Sequence, residues 1–361
     1  MGESKYIPGY TNTVDGIQVA TKFEGRITRD AKGNLQLDMD GVNFLKQIGV
    51  EWVMVSGGQI PDHNLDTIIE AKALLEQHGL KIYCLHSQGY HNMPSVTLAL
   101  EDRDEWIEKY LAHITRIGAA GIHYSTYAHM ANGIWRNFER MPIRGGATGG
   151  GLDFEKPMRA RTGSREYTNE DGLTHGREYT EDELWRNFEY FMKQVVPVAE
   201  SAGVFIGMHP DDPPYYKIGG IPRCILGSFE GYKRAIEIAN SPNIGVCLCV
   251  GCWVEVGTER MGASAEEFIR WLGERKKIFK LHVRNVTQMI HEPGGFTETY
   301  PDAGYYNLVD VIKALDDIDY DGAIINDHLI DMVGGHYACE AAFTSFLKGA
   351  VAGVQNYRLH K

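Results

Sequence analysis

Cysteine is scarce: the 361 residues hold six, at Cys84, Cys224, Cys247, Cys249, Cys252 and Cys339. That is too sparse for a disulfide framework, so the thiols are expected to be buried or bound to metal. Positive charge is also short, with 36 Lys and Arg against 48 Asp and Glu and a formal net charge of -12. A phosphate-backbone partner needs clustered cations, so nucleic acid is not an expected partner, whereas a small anion needs only a local positive site. No apolar run approaches the roughly 20 residues of a membrane span, so no membrane partner is expected. Met1 is not followed by a basic start and an apolar core, and the expected compartment is the cytoplasm. No GxGxxG follows the first strand candidate, which argues against a dinucleotide site. What is present, 43% apolar and 23% charged residues, suits a globular chain with a substantial core.

From about residue 41, short β-branched runs alternate with longer helical patterns. Strands are expected at 51–56, 81–86, 121–125, 204–209, 244–250, 278–284 and 322–327, with one more upstream at 17–23. Helices are expected at 64–77, 104–117, 181–202, 229–240, 265–275, 307–316 and 337–354. The helix beginning at Glu181 is the clearest, because Thr180 and Glu183 have capping-box spacing and Leu184, Phe188, Phe191, Val195 and Val198 recur on one face. Eight strands alternating with helices favour a closed (β/α)8 barrel over an open doubly wound sheet, in one domain spanning 1–361. Residues 127–180 break the rhythm as an insertion that includes RGGATGGG (144–151) and RARTGSREYTNEDG (159–172). Leaving a strand's C-terminal end, it reads as a surface loop or as a lid over the active face.

Four successive strands end in metal-binding side chains. VFIGMH closes on His209 and runs into PDDPP; IGVCLC closes on Cys249; IFKLH carries His282, with Arg284 and Asn285 beyond; AIIND closes on Asp327, followed by His328. Taken singly, a strand histidine is usually a hydrogen-bonded core residue, a strand cysteine a small hydrophobe, and an aspartate a helix cap. Four on adjacent strand ends converge in a barrel, and an acid and a thiol beside two imidazoles are costly without a cation. Cys247 shares the parity of Cys249 but lies one pleat deeper. Two imidazoles, a thiolate and a carboxylate suit Mn, Fe, Co or Zn. His86 and His123, with no supporting cluster, read as core or rim residues, whereas His129, Trp135 and Arg136 are candidates to line the pocket.

The HPDDPP element at 209–214, the CxG at Cys249, the HVRN at 282–285 and the Asp-His pair at 327–328 together resemble the mannonate dehydratase family. The resemblance implies a xylose-isomerase-like barrel that dehydrates D-mannonate to 2-keto-3-deoxy-D-gluconate with a divalent metal, commonly Mn. It implies His209, Cys249, His282 and Asp327 as metal ligands and His328 as the acid/base. Tyr337 is the candidate for the family's catalytic tyrosine, two residues off in ungapped matching. Arg284, Asn285 and Asp211 are the candidate substrate contacts, and the partner is then a small sugar acid; a homo-oligomer is left open. The chain departs from the family pattern at Ile325-Asn326, at Tyr300-Pro301-Asp302 and near Glu340, where arginine or histidine is usual. Those departures keep three rivals open: an isomerase or epimerase on the same barrel, a dehydratase with another substrate, and an inactive sugar-binding barrel.

Overall fold

Strands covered on both faces lose the alternation of buried and exposed positions. The runs Ile244–Cys249 and Ile278–Val283 accordingly bury every residue. In the computed structural model, which describes residues 2–359 except 13, 163, 164 and 216, they belong to one sheet of eight parallel strands. These are β1 (Gln18–Lys22), β2 (Trp52–Ser56), β3 (Lys81–His86), β4 (Tyr124–Tyr127), β5 (Phe205–Met208), β6 (Ile244–Cys249), β7 (Ile278–Val283) and β8 (Ala323–Asn326). The spatial order is β3-β2-β1-β8-β7-β6-β5-β4. Its two ends meet through a parallel bridge between Asn92 and Ala128, so the sheet is a nearly closed barrel.

The longer helices are α1 (Met39–Gln47), α2 (Leu65–Gln77), α3 (Arg103–Ala119), α4 (Glu181–Ala202), α5 (Phe229–Ala239), α6 (Val250–Met261), α7 (Ala265–Gly273), α8 (Leu308–Asp317) and α9 (Gly335–Leu359). Thr180 caps α4 by accepting from the Glu183 N–H while its own N–H donates to the Glu183 carboxylate at 2.8 Å. Two of these longer helices, α1 and α6, lie outside the expected ones. The second is buried nearly all round, so no polar face marks it in the sequence. The fourth strand starts at Tyr124 rather than Gly121, because Gly121 (φ 70°) turns the chain out of α3 and the Ile122 N–H still closes on the Ile117 carbonyl.

Residues before β1 plug the amino-terminal end of the barrel. Tyr10 packs with Trp52, Tyr83, Tyr124 and Phe279 as a buried layer. At the opposite end the 127–180 segment builds small sheets. Ile134–Asn137, Met158–Thr162 and Arg165–Thr168 pair antiparallel, and Gly151–Leu152 pairs with Phe296–Thr299 from the connection after β7. Buried Arg223 ties the base of this segment to the turn after β5, donating to the Gly133 and Pro213 carbonyls at 2.7 and 3.1 Å. No helix among the described residues is long and apolar enough to cross a membrane.

Candidate active site

Parallel register brings the strand ends together. Cys249 on β6 is the Cα partner of His282 on β7, and Val283 is the partner of Asn326, which ends β8. His209 follows directly on β5, and its backbone N–H donates to the Tyr127 carbonyl. One ligand atom each from His209, Cys249 and His282 lies within 4.8 Å of the others, all three residues buried. Asp327 completes the group: Oδ1 is 3.2 Å from His282 Nδ1, and Oδ2 is 3.5 Å from Cys249 Sγ. His209 Nδ1 lies 2.7 Å from the Pro210 carbonyl, so that nitrogen carries the proton and Nε2, 3.2 Å from His282 Nδ1, keeps its lone pair.

The donor set fits a divalent cation on its own chemistry. Burial opposes ionisation of Cys249, but Cys252, Arg284 and His209 hold its thiol well below the ordinary range even with Asp327 beside it. Burial likewise opposes Asp327, yet His328, His282 and Arg284 hold it well below the usual carboxylate range. A thiolate and a carboxylate in contact gain from a cation between them. His282 Nδ1, 3.2 Å from both Asp327 Oδ1 and His209 Nε2, is the imidazole nitrogen that faces this group. Cys247 lies deeper and outside this group, as its parity and position suggest.

His328 faces the same space with a quarter of its side chain exposed. Its Nδ1–H donates to Glu298 Oε1 at 2.6 Å, and Nε2 is 3.8 Å from Asp327 Oδ2. Tyr337 is not brought to this group. It lies in the first turn of α9, 42% exposed, stacked on Phe44 with ring centroids 4.4 Å apart.

Two expected substrate contacts become structural ones. Arg284, expected to hold an anionic substrate end, is 2% exposed and directs its guanidinium at protein acids. Nη1 donates to Glu255 at 2.6 Å and to Glu298 at 2.7 Å, and Nη2 to Asp212 at 3.1 Å. Gly251 allows this approach, since a β-carbon there would lie 2.2 Å from Arg284 Nε. Asn285 spends its amide on the loop, donating to the Pro301 and Tyr306 carbonyls while its oxygen accepts from the Val286 N–H. Asp211 is buried in the turn after β5; burial raises its carboxyl to about 6 against the pull of Arg223 and His209.

Arg136, a candidate pocket residue of the insertion, joins this network. It donates to Asp212 at 2.6 Å, to Glu255 at 3.0 Å and to Glu298 at 2.8 Å. Burial, with Asp212 nearby, lifts Glu255 to about 8 against the pull of Arg284 and Arg136, so two guanidiniums face the three acids Asp212, Glu255 and Glu298. Glu255 and Glu298 were missed in the sequence, where an isolated acid on a helix or short strand reads as surface; only their distant arginine partners distinguish them.

Comparison with known proteins places the chain in a family. The family profile described as D-mannonate dehydratase (UxuA) matches residues 36–170 and 169–345. The mannonate dehydratase of Streptococcus pneumoniae (strain 70585) is 32% identical over 280 residues, 73% of this chain and 74% of its own. The crystal structure of mannonate dehydratase from Streptococcus suis serotype 2 superposes with a TM-score of 0.75 at 26% identity, covering 95% of this chain and 96% of that one. A xylose isomerase domain protein from Alicyclobacillus acidocaldarius, 13% identical with a TM-score of 0.57 over 94% of this chain and 99% of its own, shares the fold. The barrel is therefore xylose-isomerase-like, and the chain belongs to the D-mannonate dehydratase family.

Proposed function

We propose that this chain is a hydro-lyase that converts D-mannonate to 2-keto-3-deoxy-D-gluconate and water, with a divalent metal, Mn²⁺ by preference, held by His209, Cys249, His282 and Asp327. The observation that carries the metal site is the convergence of two imidazoles, a thiol and a carboxylate from four adjacent strand ends. A cation bound there would act as a Lewis acid toward oxygens of a polyhydroxy acid and stabilise charge developing beside its carboxylate. Family membership supplies the substrate.

The reaction removes the proton at C2 and expels the C3 hydroxyl as water. His328 is the proposed acid/base, because Glu298 holds its Nδ1–H and leaves Nε2 for proton exchange on the side of Asp327. Asp327 and His328 are consecutive, so one backbone segment sets a metal ligand beside the proton-transfer group. Tyr337, on the outer rim, is proposed to contribute only if α9 brings its first turn inward around substrate. The buried arginines orient the acids around the site rather than the substrate, and the proposed substrate contacts are therefore the metal and His328. The proposed compartment is the cytoplasm.

Incubation of Mn²⁺-loaded protein with D-mannonate tests this by product mass. Loss of one water with appearance of a 2-keto-3-deoxy acid is expected. An epimer of unchanged mass would replace the lyase with an epimerase, and metal-independent turnover would remove the cation.

A further inference from the structure

Glu298 sits where three parts of the molecule meet. It lies on the short strand Phe296–Thr299 after β7, is 3% exposed, and receives the Nδ1–H of His328 at 2.6 Å. The same oxygen, Oε1, accepts from Arg284 at 2.7 Å and from Arg136 Nε and Nη2 at 3.0 and 2.8 Å. Its other oxygen faces the glycine run of the insertion. The Glu298 N–H donates to the Gly150 carbonyl at 2.7 Å, and Gly151 pairs with Thr297. A β-carbon at Gly149 would lie 1.9 Å from the Glu298 carbonyl oxygen, and one at Gly150 would lie 2.7 Å from Glu298 Oε2. The run at 149–151 is therefore glycine because backbone passes against backbone and against a functional carboxylate.

Building on the acid/base reading of His328, we propose that Glu298 is its positioning residue, and that the inserted segment sets Glu298 through Gly150 on one side and Arg136 on the other. Two physical reasons support this. A carboxylate on Nδ1–H fixes both the tautomer and the plane of an imidazole, so Nε2 presents its lone pair in one direction. The carboxylate must itself be fixed, and here two guanidiniums and a close-packed glycine surround it. Without Glu298 the His328 ring would keep, among the described residues, the 3.8 Å approach of its Nε2 to Asp327. The insertion then acts as part of the catalytic frame: it reaches the proton-transfer group through one intervening side chain.

The test is a coupling experiment on the Mn²⁺-loaded protein, reading kcat, KM and metal content together. Glu298→Ala is expected to lower kcat about 100-fold or more, with KM and metal content close to the parent. Glu298→Gln, whose amide oxygen can still accept the Nδ1–H, should recover part of that loss. Gly150→Ala should lower kcat about tenfold by pressing on Oε2, and should cost nothing further in the Glu298→Ala background. Parental kcat in Glu298→Ala, or an undiminished Gly150→Ala cost in that background, overturns the proposal. If Glu298→Ala does not fold, Glu298→Gln and Gly150→Ala decide it, and parental kcat in both overturns it. His328→Ala separates the two levels. Full turnover in that variant defeats the acid/base reading itself; loss of turnover there, with Glu298→Ala fully active, defeats only the positioning role.

Discussion

At the floor of the barrel Tyr10, Trp52, Tyr83, Tyr124 and Phe279 interlock, with Tyr10 and Tyr83 ring centroids 5.0 Å apart and Tyr83 and Tyr124 at 5.4 Å. The hydroxyls of Tyr10 and Tyr83 donate to the Tyr83 and Phe279 carbonyls, both at 2.5 Å. At the mouth the buried groups are the proposed ligands, guanidiniums and acids, and His282 Nε2 and Glu255 Oε2 have no hydrogen-bond partner. Both ends exclude water. The floor does so mainly with aromatic area and hydrogen bonds from tyrosine hydroxyls, which stabilise the fold directly, although Trp52 Nε1 has no partner there and the buried Asp321 carboxylate accepts from Ser4 and Lys5. The mouth holds charge that must be balanced pair by pair, at a cost in stability that chemistry justifies. Buried aromatics therefore dominate at the floor, and clustered buried ion pairs dominate at the mouth.

The sharpest way to separate the two ends is to remove a ligand. His282→Ala should bring bound metal and turnover to background while leaving the barrel folded, as read by elemental analysis and far-UV circular dichroism; retained metal would break the contrast. Next in size, His328→Ala should keep its metal and lose about 10²–10⁴-fold in kcat, a loss confined to the mouth. At the floor the effect should be thermodynamic. Tyr83→Ala should cost about 3–5 kcal/mol in chemical denaturation, as for other large aromatic deletions, with metal still bound by the folded fraction. Equal loss of metal from that variant would mean that the floor and the mouth are not separable.

A smaller effect tests the charge balance of the mouth through pH. Burial raises Glu255 to about 8, so the folded protein keeps a proton that the unfolded chain has already released. The stability linked to that proton is complete below the ordinary carboxylate range and is lost as pH rises toward 8. Glu255→Gln does not titrate, so its thermal midpoint should decline less than that of the parent between about pH 5 and 8. The smallest effect belongs to the rim. Arg144 and Asp302 pair at 2.8 Å with about half of each side chain exposed, and Arg144→Ala should leave the midpoint of chemical denaturation close to that of the parent. A larger loss would extend the working network of the mouth to its outer edge.

The barrel was readable because its signals are local. Runs such as the uniformly buried 244–249 and the capped helix at Glu181 announce themselves within a few residues, and the four proposed ligands stand at or just past the ends of such runs. The α6 helix was hidden because a helix buried nearly all round has no polar stripe. An arginine after a strand looks the same in sequence whether its target is a substrate or another side chain, and Arg284 turns to Glu255, Glu298 and Asp212. Tyr337 was chosen by its distance along the chain, whereas its neighbour in space is Phe44.

What the amino-acid sequence determined by itself is the alternation of strands and helices and the placing of His209, Cys249, His282 and Asp327 at strand ends, since both follow from periodicity over short stretches. What only the tertiary structure decided is the pairing of charges: Arg136 with Glu298 across 162 positions, and Glu298 with His328 across 30. Electrostatic partners act through space and leave no periodic trace along the chain. The side chains that orient the proton-transfer group therefore become visible only once the insertion is folded against the mouth.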